Sequence, residues 1–318
     1  IATMFNLFSA SLGGFFSGIG KTSIAMLGAI IGNITNVILD YWLIFGSLSV
    51  PAMGINGAGL ATSLGALVNL LVIVGFIIYA QKQYKGILRP VWHTAVFKRL
   101  MRFGTPVAAQ MLVESIGFSL LLMFMGQIGW APTAAAGIVF TVQMFCFFPI
   151  LSLGTGCSIV VGQERGAKHM KSIDIILRRG LVLALIYTLV WVFALLVFPR
   201  ELAYGLFRNA QNPEKTREIL GYVVPMMQAA AVWIIFDAFF NIYSQVLKAL
   251  GDTLYIMLML MIMTPVVKII PALLISSYMP NPYLLMWVIV AYSITLFIAA
   301  ILRYHSHAWE KFHVIEDA

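Results

Sequence analysis

Stretches of about 20 apolar residues follow one another along the whole chain, and that is the length a helix needs to cross the hydrocarbon core of a bilayer. The polar connections between most of them are short, and none leaves room for a soluble domain larger than a linker. In lipid only helices and closed barrels satisfy every backbone group, and runs this long and continuous read as helices rather than barrel strands. The expected fold is therefore an all-α polytopic membrane protein. Composition agrees: 61% of the 318 residues are hydrophobic and 10% charged, against roughly 45–50% and 25% in soluble domains.

Nine spans are expected, at 1–17, 23–46, 57–80, 103–125, 133–161, 178–199, 219–247, 253–279 and 283–303. The chain opens with Ile inside an apolar helix, so its beginning is expected to be missing. Residues 81–102, "QKQYKGILRPVWHTAVFKRLMR", are too charged to cross and become amphipathic after Pro90, which predicts a linker with an interfacial helix.

The net charge of +8 raises the possibility of an acidic partner. Its placement argues otherwise, because 15 of the 20 Lys and Arg fall on alternate connections and the tail: Lys21, 82–102, 165–179, Lys248, Arg303 and Lys311. The opposite connections "GSLSVPAMGIN", "GQIGWAP" and "SSYMPNPY" carry no charge, and only 200–218 mixes both signs. This is a positive-inside bias, so the basic ends are expected in the cytoplasm. Membrane lipids are the expected surroundings and no nucleic-acid partner is expected. Cys146 and Cys157 lie eleven residues apart in one span, about 16 Å along a helix and too far for a disulfide. They read as buried thiols.

Laying the chain on itself gives an internal repeat. "FNLFSASLGGFFSGIGKTSIAML" from Phe5 resembles "FDAFFNIYSQVLKALGDTLYIML" from Phe236 at a constant offset of 231, with Gly20 on Gly251 and Thr22 on Thr253. Six spans separate the copies, so both run the same way through the bilayer, related by an axis along its normal. The partner of the fourth span would begin about 128 residues before the first residue of the chain. A complete repeat therefore implies three further helices upstream and a two-lobe, pseudo-symmetric bundle of twelve helices, about nine of them present here. On this reading 1–80 is the second half of a first lobe, 81–102 the linker, 103–303 a whole second lobe and 304–318 a cytoplasmic tail.

Two apparent motifs dissolve on inspection. "GGFFSGIGKTS" resembles a phosphate-binding loop, but Phe15 holds a position that must be Gly, and the repeat replaces Lys21 with Asp252. A tight turn is the better reading. His305, His307 and His313 lie in the tail without Cys or paired carboxylates to complete a metal cage, so a solvated tail is expected.

Four charged residues lie inside spans: Asp40, Glu114, Asp237 and Lys268. A charge at the centre of an isolated membrane helix costs roughly 3 kcal/mol or more, so each should face protein or water. Trp233, Asp237, Asn241, Ser244 or Gln245, and Lys248 form a polar stripe down the seventh span, which fits an aqueous cavity; a buried inter-helix hydrogen bond is the alternative. Glu114 has Gln110 one turn earlier. A carboxylate in a low-dielectric cavity exchanges protons near neutral pH unless a bound cation keeps it charged, which is how a binding site becomes coupled to an ion gradient. Asn33, Asn36 and Asp40 share a face of the second span, hard oxygen ligands of the kind a small cation takes, and Thr62 can add a hydroxyl; hydration near the membrane surface is the alternative. Lys268, between Pro265 and Pro271, can reach a carboxylate from a kinked helix or snorkel along a cavity.

"FFSGIGKTSIAMLGAIIGNITNVILDYWLIFG", "GINGAGLATSLG", "FGTPVAAQMLVESIGF" and "PILSLGTGCSIVVGQERGA" resemble the corresponding segments of the multidrug and toxic compound extrusion (MATE) family. The resemblance implies an antiporter with two six-helix lobes around a central cavity. Proton or Na⁺ entry would drive export of organic, often cationic, compounds by alternating access across the plasma membrane, which is the inner membrane in a Gram-negative bacterium. By position, Glu114 and Asp237 resemble the acidic pair of the second lobe, and Asn36, Asp40 and Thr62 resemble residues around a first-lobe cation or proton site. A monomer without cofactor is expected. The alternative is a lipid-linked oligosaccharide flippase of the same broad superfamily, which would need cationic residues for phosphate. An enzyme is not expected, since all five His lie outside the spans and no catalytic cluster is visible.

Overall fold

The computed structural model describes residues 2–46, 51–80, 92–206 and 213–311. The basic part of the linker, 82–89, and the tail beyond 311, including His313, lie outside the described residues. The elements are α1 (Ala2–Gly18), α2 (Thr22–Phe45), α3 (Ile55–Ala80), α4 (Thr94–Ile128), α5 (Trp130–Gly166), α6 (Met170–Val197), α7 (Pro199–Leu206) and α8 (Pro213–Ala249). Then come α9 (Thr253–Met263), a π-helical segment (Thr264–Ile269), α10 (Ile270–Tyr278), α11 (Pro282–His305) and a 3₁₀ turn (Ala308–Lys311). Among the described residues eight helices are long and apolar enough to cross a membrane, with α9, the π segment and α10 forming one of them. The 17 residues of α1 fall just below that length.

The chain divides into two compact units, 1–93 and 94–318. The boundary falls nine residues before the expected start of the fourth span: from Thr94 the amphipathic segment runs unbroken into α4, with no separate interfacial helix among the described residues. Helix-forming residues continue through 94–103, and Pro106 sits inside α4 without ending it. Neither the expected spans nor the linker anticipated α7, which lies in the mixed-charge connection.

The repeat is visible in the backbone. α1 ends at Gly18 and α8 at Ala249, while α2 begins at Thr22 and α9 at Thr253, all at the offset of 231. Gly20 and Gly251 take left-handed φ of 80° and 82°. In each turn that glycine donates to the carbonyl three residues back, and the next residue donates five back: Lys21 to Phe16 at 2.8 Å, Asp252 to Leu247 at 2.9 Å. This paired pattern is a Schellman ending, which satisfies carbonyls the helix leaves open and needs a residue tolerant of positive φ. Lys168, at φ 61°, makes the same pair of bonds between α5 and α6. Gly20 is thus the turn glycine of the false phosphate motif.

In unit 1, α2 and α3 lie close enough that their glycines admit nothing larger. A Cβ on Gly32 would stand 2.8 Å from the Gly65 carbonyl oxygen and 2.8 Å from Asn69 Cβ; one on Gly65 would stand 2.7 Å from Asn36 Cβ. Small residues at helical spacing let two backbones approach, which replaces the hydrophobic driving force absent between helices in lipid. Phe16, Ile73, Ile77 and Ala80 fill the remaining core of the unit.

In unit 2, α8 is the central helix, packed on α5, α11 and α6. Met226, Met227, Ile234, Ile242 and Leu247 are fully buried along it. By contrast α6 exposes Val182, Ile186, Leu189, Val190 and Phe193 on one stripe, the apolar face a helix offers to lipid. Cys146 and Cys157 are buried free thiols, and Cys157 Sγ sits 2.7 Å from where a Cβ on Gly180 would be. Asn281 caps α11 by accepting from the backbone N–H of Tyr283 and Leu284, with Pro282 at the first helical position.

Polar contacts tie the basic end of unit 2. Asp252, fully buried, accepts from Arg303 Nε at 2.6 Å, and the Arg303 guanidinium lies 4.5 Å from the Tyr255 ring centroid. Arg165 donates to the Leu250 carbonyl. Tyr304 donates to Asp174 at 2.5 Å, and Trp309 stacks on Tyr304 while its indole N–H donates to the Tyr304 carbonyl. The start of the tail is therefore docked rather than solvated, with Trp309 only 4% exposed. An aromatic ring with a partner for its N–H is better buried than hydrated. His305 and His307 remain exposed.

Candidate functional site

Unit 2 brings three of the four in-span charges together. On α4, Gln110 is buried and its Nε2 donates to Glu114 Oε1 at 3.1 Å, across one helical turn. On α8, Trp233 stands one turn before Asp237, and Phe140 meets the Trp233 ring edge-to-face at 6.0 Å. Glu114 is thus held by a neighbour on its own helix. Asp237 lies within electrostatic range of Glu114 and Lys268, and Lys268 faces both carboxylates.

Lys268 owes its position to the prolines around it. Pro271 has no N–H to give, and the backbone shifts register so that Ile270 N–H bonds Pro265 O five residues back, one residue longer than the α-helical bond. The result is a π segment in the middle of the span. From it Lys268, 8% exposed, reaches over the Tyr292 ring of α11, with Nζ 5.2 Å from the centroid. Thr264, one turn earlier, shares a 2.8 Å hydrogen bond with the Tyr292 hydroxyl. Gly117 is the notch that admits this element: a Cβ there would fall 2.7 Å from Thr264 Cγ2 and 3.8 Å from Lys268 Nζ. Glu114 lies one turn from that notch on the same helix.

The lower part of the α8 stripe is oriented differently from the expected cavity lining. Asn241 Oδ1 and Gln245 Cγ point at Gly154 of α5 and crowd the space a Cβ there would take. The missing side chain at Gly154 makes room, so these two amides pack into the α5–α8 seam. Asn241 Oδ1, the Ser244 hydroxyl on α8 and both amide atoms of Gln143 on α5 are buried without a hydrogen-bond partner among the described residues.

In unit 1, Asn36 and Asp40 are partly buried on α2, while Asn33 is exposed. Asn36 Nδ2, Asp40 Oδ1 and Asn69 Oδ1 of α3 are buried atoms without a hydrogen-bond partner among the described residues. Thr62 is exposed and its hydroxyl donates to Ala58 O at 2.8 Å within its own helix, so its proton is not offered to Asp40.

Sequence reasoning missed Tyr292, Thr264, Gly117 and Asn69 as members of these clusters. Asn69 carried a signal, being an amide inside an otherwise apolar run. Gly117 and Thr264 carried none, because their part depends on how α4 meets the π segment.

The fold and the buried charged cluster define the class: an all-helical, multi-pass membrane protein with ionisable groups held inside a helix bundle. The sequence pattern of the MatE family matches residues 106–274, more than half of the chain, and the chain belongs to that family. Among curated relatives, the "Probable multidrug resistance protein NorM" of Rhizobium meliloti is 27% identical over 78% of this chain and 53% of its own length. The multidrug resistance protein MdtK of Yersinia pseudotuberculosis is 27% identical over 74% of this chain and 51% of its own. The chain thus spans about half the length of the curated relatives it matches. The fold is that of solved transporters: a MOP superfamily transporter from Pyrococcus furiosus superposes with a TM-score of 0.84 at 21% identity, covering 98% of this chain and 68% of that one. An outward-facing multidrug resistance MATE family transporter gives the same TM-score, identity and coverage.

Proposed function

We propose that the protein carries out secondary active multidrug efflux, exporting organic, often cationic, compounds in exchange for H⁺ or Na⁺ by alternating access in the plasma membrane. The relatives named as multidrug resistance proteins support the efflux reading. The observation that carries it furthest is the grouping of Glu114 and Asp237 inside one helical bundle, Glu114 held by a hydrogen bond from Gln110 and Asp237 one turn from Trp233. Two carboxylates in a low-dielectric interior attract a cation and take up protons, and only one of those events has to be exchanged for the other to couple them. Gln110 fixes the Glu114 carboxylate, and Trp233 adds an aromatic face suited to an organic cation. The unit 1 group, Asn36 and Asp40 with Asn69, is a second candidate for the coupling ion.

The oligosaccharide-flippase alternative needs exposed cationic side chains for phosphate. Lys268, its main support, lies buried over Tyr292 and faces two carboxylates, an arrangement that favours cation export.

Ethidium efflux from energised cells expressing the protein tests the proposal. Asp237→Asn is expected to abolish gradient-driven efflux while the protein still reaches the membrane. Efflux at the unsubstituted rate in that variant removes the coupling role from Asp237.

A further inference from the structure

We propose that the ammonium of Lys268 is the resident counter-cation of the Glu114–Asp237 pair, standing where a free Na⁺ would otherwise be needed, so that an organic monocation enters by displacing a tethered charge rather than a metal ion. The part concerning organic cations rests on the efflux reading above; the part concerning Na⁺ does not.

The charges facing this point come from every packed element. α4 supplies Glu114 and the neutral Gln110, α8 supplies Asp237, and α11 supplies the neutral Tyr292. Lys248 also falls within range of Glu114 but sits in the last turn of α8, where a cation complements the helix end. Among the described residues only Lys268 lies within range of both carboxylates, so at the pair itself two carboxylates share one ammonium. With Lys268 in place the pair is one positive charge short of neutral, a deficit that a single proton meets; without it, two.

The geometry shows a charge that is near the pair yet not locked to it. No carboxylate among the described residues lies within ion-pair distance, 4.0 Å, of Lys268 Nζ. The ammonium rests instead on the Tyr292 ring, 5.2 Å from its centroid, a contact a cation can leave without breaking a hydrogen bond. The four-carbon stem can swing, and the π segment that bears it is the kind of register fault that collects at functional sites. Gly117 lets the π segment come close to α4, since a Cβ there would fall 2.7 Å from Thr264 Cγ2, with Nζ at 3.8 Å.

The test uses the purified protein in lipid nanodiscs, with ²²Na⁺ binding and tetraphenylphosphonium binding measured at ionic strength held constant by KCl. Lys268→Met keeps the length and removes the charge. It is expected to gain Na⁺ binding that disappears in Lys268→Met/Asp237→Asn, and to bind tetraphenylphosphonium about tenfold more tightly or better, with Na⁺ now competing. The unsubstituted protein should show no Na⁺ binding that depends on Asp237, and Lys268→Arg should behave like it. Asp237-dependent Na⁺ binding in the unsubstituted protein, or no gain in Lys268→Met, overturns the proposal. The comparison of unsubstituted protein with Asp237→Asn decides the point even if the Met variant does not fold. Tetraphenylphosphonium binding unchanged by Asp237→Asn sinks the organic-cation reading of the site, leaving the Na⁺ measurements to judge Lys268 separately.

Discussion

Gly32→Ala is a single methyl added where unit 1 has no space. The new Cβ would stand 2.8 Å from the Gly65 carbonyl oxygen, 2.8 Å from Asn69 Cβ and 3.3 Å from Asn69 N. Two of these three are backbone atoms of α3, so no rotamer change relieves them. Restoring ordinary contact at 3.4 Å moves α2 and α3 apart by about 0.6 Å at this point, and a gap of that size forfeits a quarter to a half of the dispersion well for each contact along the seam. Overpacking of this kind costs about 1–3 kcal/mol. The control is Gly59→Ala on α3, where nothing lies within 4 Å of the new methyl and helix propensity favours Ala by up to about 1 kcal/mol. Titration with sodium dodecyl sulfate in mixed micelles, read by pulsed hydrogen exchange on peptides from α2 and α3, follows unit 1 by itself. Gly32→Ala should open at lower detergent fraction and Gly59→Ala should not. Equal midpoints for the two variants would refute the claim that glycine spacing holds this helix pair.

At the basic end of unit 2, Arg303→Met strands the buried Asp252 carboxylate and should cost about 3–5 kcal/mol, whereas Asp252→Leu/Arg303→Met should recover most of it; thermal unfolding of the two variants checks the sign of the difference. Trp309→Ala should lower stability by about 3–5 kcal/mol and Tyr304→Phe by about 1–2 kcal/mol through the lost bond to Asp174, both seen as faster exchange in α6 and α11. Lys168→Gly removes a left-handed residue with a side chain and should raise stability by up to about 1 kcal/mol, which the same unfolding assay can resolve.

Much of the fold was legible because lipid leaves the backbone so few options. The spans followed from run length, and the repeat located the turn at Gly20 and Gly251 before any coordinate was needed. The three charges of unit 2 were found individually, since an ionisable residue in an apolar run announces itself. Their grouping was not legible. Periodicity tells which residues share a face of one helix, but not which helix that face meets, and in a membrane the contrast between a lipid face and a protein face is slight. Tyr292 therefore looked like any aromatic in α11, and Asn241 and Gln245 looked like cavity lining until Gly154 gave them a place in the seam. Trp309 falls in a tail expected to be solvated and nothing in the sequence marks Asp252 as buried, yet Tyr304, five residues earlier, covers the one and Arg303, far along the chain, holds the other.

The helix-ending turn used after α1, α5 and α8 is made by backbone hydrogen bonds alone. The residue that follows the left-handed position is Lys21 in one copy, His169 in another and Asp252 in the third. Folding of the hairpin places no demand on the charge of that side chain. One address in the repeat can thus hold a cation that counts toward orientation in the bilayer, or an anion that braces the bundle from inside. Exchanging one for the other rewrites how the hairpin is anchored and leaves its shape alone.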